Sequence, residues 1–61
     1  MTMTSKQIVK HLKKNGFKYH RQGKGSHTIY INDNGITVPV PMHNKDLPIG
    51  TERGILKQAG L

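Results

Sequence analysis

His27-Thr28-Ile29-Tyr30-Ile31-Asn32-Asp33-Asn34-Gly35-Ile36-Thr37-Val38-Pro39-Val40 reads as two strands joined by a turn. The first run holds three β-branched residues and one aromatic, a composition suited to a pleated, half-buried surface. Asn32-Asp33-Asn34-Gly35 is a hairpin signal, the Asn-Gly pair favouring positive φ. In the second run Ile36, Val38 and Val40 alternate with Thr37 and Pro39. Pro39 has no N–H to donate, so this strand belongs at a sheet edge.

Upstream, Lys18 to Gln22 makes a further short strand, joined to His27 through Gly23-Lys24-Gly25-Ser26. Gly23 and Gly25 allow positive φ and close approach of backbone to a ligand. Arg21 and Lys24 bring positive charge to that turn, and His27 brings a group that exchanges a proton near neutral pH.

Residues 4 to 15 read as an amphipathic helix. Thr4 and Gln7 form a T-x-x-Q capping box, and Ile8, Val9 and Leu12 make one apolar stripe. Lys6, Lys10, Lys13 and Lys14 fill much of the remaining circumference, and His11 lies at the boundary. Asn15-Gly16-Phe17 is a helix stop, with Phe17 placed to touch Leu12. A second helix starts near Pro48 and runs through Thr51, Ile55, Leu56 and Ala59 to a second stop at Gly60-Leu61. Gly50 and Gly54 weaken it in isolation by about 1 kcal/mol each, so packing must hold it. The order is α-β-β-β-α, an α+β fold. One apolar stripe per helix puts both helices on the same face of a three-stranded antiparallel sheet and leaves the other face open. This is the layout of a double-stranded-RNA-binding domain.

The 61 residues suffice for a single domain, 1–61, with a thin stability margin. Ten Lys and Arg against three acids give +7, which points to a polyanionic partner: nucleic acid, an acidic protein or an anionic membrane. The membrane reading is the weakest, since no helix combines a broad apolar face with aromatic anchors. No run approaches a spanning segment, Met1 to Ser5 has no signal-peptide core, and there is no cysteine. A reducing cytoplasm is the expected location.

The chain resembles the HicA family of toxin endoribonucleases, the mRNA interferases of toxin–antitoxin pairs. The resemblance runs through Ser5-Lys6-Gln7-Ile8 to Gly16-Phe17, Gly25-Ser26-His27, Val38-Pro39-Val40-Pro41 with His43, Gly50-Thr51, and Ile55 to Leu61. It implies an α-β-β-β-α fold, RNA cleavage through His27, and a HicB antitoxin that masks this histidine. The free toxin is expected to be a monomer, assembling further only through the antitoxin.

Metal-free RNA cleavage needs a base for the 2′-OH, an acid for the departing 5′ oxygen and positive charge at the phosphoryl group. His27 is the candidate for proton transfer. Lys24 and Arg21, with the backbone of Gly25 and Ser26, are candidates for the phosphate; Lys18 and His20 are further RNA contacts. His20 and His43 are candidates for the second proton-transfer group, and His43 for site support. No ligand spacing for a metal is present and no cofactor is expected. The residues alone leave a bland alternative for His27, packing on the core side with Ile29 and Ile31. They leave Tyr30 open between base stacking and the core, while Phe17 reads as core. For the whole chain, the alternative is a non-catalytic RNA-binding module that reads A-form shape.

Overall fold

A computed structural model describes residues 3–42 and 46–61. The elements are α1 (Ser5–Lys14), β1 (Lys18–Gln22), β2 (His27–Ile31), β3 (Thr37–Pro41) and α2 (Ile49–Gln58). The strands form one antiparallel sheet in the order β1-β2-β3, which puts the Pro39 strand at an edge as its missing donor requires. The double-stranded-RNA-binding-domain-like layout expected from the sequence is the one found.

α1 begins with its capping box complete: Thr4 Oγ1 accepts from the Gln7 N–H at 3.2 Å, and Gln7 Oε1 accepts from the Thr4 N–H at 2.9 Å. It ends in a Schellman motif, the Phe17 N–H donating to Leu12 O at 3.0 Å and the Gly16 N–H to Lys13 O at 3.3 Å. α2 stops the same way, through Leu61 N–H to Leu56 O at 2.8 Å. Replacing Thr4 by alanine is expected to cost about 1 kcal/mol. In a domain of this size that lowers Tm by roughly 4–8 °C, which thermal unfolding followed by circular dichroism would record.

The hairpin between β2 and β3 has the positive φ expected at its Asn-Gly pair, on Gly35 (80°). Neither Asp33 nor Asn34 has it, so this is not a two-residue primed turn. Gly35 N–H donates to Asn32 O and Asn32 N–H to Ile36 O, both at 3.1 Å, giving a type I turn closed by a left-handed glycine. Asn32 Oδ1 adds two bonds, from the N–H groups of Asn34 (3.1 Å) and Ile36 (2.9 Å). The extra loop residue is why β3 starts at Thr37 and Ile36 stays exposed.

Ile8, Leu12, Phe17, Tyr30, Val38, Val40, Leu47, Ile55 and Ala59 form the core. Both helices lie on one face of the sheet and lean on β3, whereas every residue of β1 is exposed. The N-terminal segment is tied across the helices. Leu47 N–H donates to Met3 O at 2.9 Å, Thr4 bridges to Asp46, and the Met3 N–H donates to the carboxylate of Glu52. Glu52 is buried on α2, and this bond gives its charge a partner.

Candidate functional site: the glycine turn and His27

The β1–β2 turn closes on two backbone bonds, Gly23 N–H to His27 O at 2.9 Å and His27 N–H to Lys24 O at 3.1 Å. Between Lys24 and His27 the chain passes through Gly25 at φ +59°, a conformation that a side chain there would strain. Gly23 serves differently from the expectation of positive φ. A Cβ there would stand 3.0 Å from Ile29 Cδ1 and 3.3 Å from His27 O, so its role is close approach.

The core parity considered for His27 is wrong. Thr28 and Tyr30 are the buried residues of β2, and His27, Ile29 and Ile31 belong to the open face. The reason is the register: Thr28 pairs with Val40 and Tyr30 with Val38, whose side chains the helices cover. His27 is exposed, with Nδ1 3.2 Å from Lys24 O. A carbonyl only accepts, so this bond requires the proton on Nδ1. Nε2 is then left with its lone pair for an incoming proton.

Register places Lys18 (opposite Ile31) and Arg21 (opposite Ile29) on the same open face as His27. Lys24, Gly25 and Ser26 make the turn itself, all exposed. Among the described residues the N–H groups of Gly25 and Ser26 have no partner, while Ser26 O accepts from the Met42 N–H at 3.0 Å. The turn therefore offers two donors and the Lys24 ammonium to an anion. His20 is not brought to His27. It is the extra residue of a β-bulge between Tyr19 and Arg21, and no hydrogen bond joins it to His27. His43 lies outside the described residues. His11 is half-buried on α1.

Gln22 was not singled out by the sequence, and it holds the turn. Its Nε2 donates to His27 O at 2.8 Å and to Gly25 O at 3.3 Å, while Oε1 accepts from Thr28 Oγ1 at 3.4 Å. The cue available was its place at the strand end, opposite Thr28. Ser5 was missed as well. Its hydroxyl, buried at the start of α1, donates to Pro41 O at 2.6 Å, and Pro41 is the register partner of His27. Tyr30 belongs to the core, and burial, followed by the neighbouring Tyr19, pushes its phenol above the ordinary range. Tyr19 is 58% exposed and meets the Tyr30 ring edge-on at 6.4 Å. Among the described residues no three His, Asp or Glu gather where a metal could be held, and no helix is long and apolar enough to cross a membrane.

Fold and site together define a small double-stranded-RNA-binding-domain-like protein with an exposed histidine on a cationic turn. The family model described as the HicA toxin of bacterial toxin–antitoxin matches residues 5–61, and the chain belongs to that toxin family. It is similar to a chain of a solved toxin–antitoxin complex from Streptococcus pneumoniae, with 41% identity, a TM-score of 0.83, and coverage of 97% of this chain and 98% of that one. No curated protein matches it.

Proposed function

We propose that this toxin is a metal-independent endoribonuclease of mRNA, acting in the cytoplasm as one domain and neutralised by a HicB-type antitoxin that covers His27. The observation that carries the reading is the orientation of His27: its Nδ1 faces Lys24 O, and Nε2, which has no partner among the described residues, is left to exchange a proton beside the turn. In the forward step Nε2 takes the proton of a ribose 2′-OH, the 2′ oxygen bonds to the adjacent phosphorus, and the P–O5′ bond breaks. The departing O5′ takes a proton from an acid on its far side. Lys24, assisted by the N–H groups of Gly25 and Ser26 and by Arg21, stabilises charge on the phosphoryl oxygens. Lys18 and His20 contact the flanking strand.

RNA incubated with the pure protein in EDTA is expected to yield 2′,3′-cyclic phosphate and 5′-OH ends. A substrate with one 2′-deoxy sugar at the scissile position should survive. Intact RNA in both cases, with binding retained, would instead mark a non-catalytic RNA-binding module. Gln22→Ala should lower kcat by about tenfold with KM little changed. That is less than the roughly 10²-fold that follows a full 1 Å misplacement.

The antitoxin reading is supported by the composition of the open face and by the similar chain's complex. Ile29, Ile31 and Pro39 form an apolar strip on the face that carries His27, Arg21 and Lys18. An acidic partner seated there would meet apolar area and cations at once and keep RNA away from His27.

A further inference from the structure

The outer face of α1 is not used by the site described above. Among the described residues Lys6, Lys10, Lys13 and Lys14, with Val9, line a shallow, open concavity of about 500 Å³, its walls mostly hydrocarbon. The helix, SKQIVKHLKK, contains no acid. Among the described residues no carboxylate pairs with any of these lysines. At a rise of 1.5 Å per residue, Lys6, Lys10 and Lys14 repeat at about 6 Å along the axis, a ladder of point charges.

Protein interfaces are depleted in lysine and rely on aromatic and arginine anchors. This face has neither, whereas a phosphate backbone needs only spaced cations. Two further facts relate it to His27. The Ser5 hydroxyl bonds to Pro41 O, so the start of α1 lies over the end of the sheet where His27 pairs with Pro41. The molecule measures 28 × 24 × 16 Å, distances that a strand leaving His27 spans in a few nucleotides.

We propose that the lysine face of α1 is a second RNA-binding surface, holding phosphates of the strand that is cut at His27. Because α1 lies behind the sheet and His27 on its open face, the surface stays available when a partner covers His27. This rests on the RNA reading of the site.

The test uses the full chain with His27→Ala, so that RNA is not consumed, and a 20-nucleotide single-stranded RNA followed by fluorescence anisotropy across a salt series. Changing all four lysines to glutamine should flatten the salt dependence by about 3 units of log–log slope, at about 0.7 per lost phosphate contact. Near 0.1 M salt that amounts to a loss of roughly 10²-fold or more. Lys→Arg at the same positions should restore binding, which excludes a folding defect. Arg53→Gln with Lys57→Gln on α2 should change the slope by less than about 1.

Equal losses per charge from α1 and α2 would overturn the proposal, leaving only net charge at work. It would also fail if the quadruple variant bound RNA as before, or lost antitoxin affinity instead. A His27→Ala parent with no RNA affinity at all would sink the RNA reading along with it. Bound to its antitoxin, the native chain should still bind RNA without cutting it.

Discussion

His27→Ala is expected to slow RNA cleavage by about 10²–10⁴-fold, the usual contribution of a positioned proton-transfer group. The side chain is exposed and its one hydrogen bond among the described residues is to a turn carbonyl, so its removal should leave Tm nearly unchanged. Affinity for RNA should fall little, because the lysines, Arg21 and the turn N–H groups remain. Activity would then part from stability and from binding, which a structural histidine would not produce. Growth arrest on expression should disappear together with the cleavage. A variant that lost activity only because it had unfolded would show itself in the melting curve.

The second large effect is on the fold. Leu12 is wholly buried, and its carbonyl accepts both the Phe17 N–H at 3.0 Å and the Asn15 N–H at 2.9 Å. Leu12→Ala keeps those backbone bonds and leaves a cavity among the core residues, a change that costs about 2–5 kcal/mol. At roughly 0.05–0.15 kcal/mol per residue, the entire stability of the domain is only about 3–9 kcal/mol. Tm should therefore fall by more than 10 °C, and much of the chain should be unfolded at 37 °C. A drop of under 3 °C would mean that α1 is not what holds the core together.

Local chemistry made most of the fold legible. The Thr4–Gln7 box, the Gly16-Phe17 stop and the Pro39 edge strand each have a cause within a few residues, and each stands where that cause puts it. Asn34-Gly35 announced a turn but not its type, because Asn32 decides the type by capping two N–H groups beyond it. The face of β2 was harder to read. Alternation gives two sets, Thr28 with Tyr30 and His27 with Ile29 and Ile31, and hydrophobicity favours the wrong one.

What buries Thr28 and Tyr30 is the pairing with Val40 and Val38 beneath the helices, a register that no short window contains. The bulge at His20, the Gln22 clamp, the Ser5–Pro41 bond and the Glu52–Met3 tie are likewise long-range or conformational. The site divides the same way. The turn and its histidine were visible in the order Arg21 to His27, while the orientation of the ring depends on where the Lys24 carbonyl points.

In this mechanism the His27 imidazole moves the proton. The decisive measurement follows one labelled RNA with native and His27→Ala protein side by side in EDTA, with bound fraction and cleaved fraction read from the same samples. The expected result is equal binding within about threefold and a cleavage rate at least about 10²-fold lower for His27→Ala. Cleavage at the native rate by His27→Ala, with the RNA bound to the same extent, would contradict it.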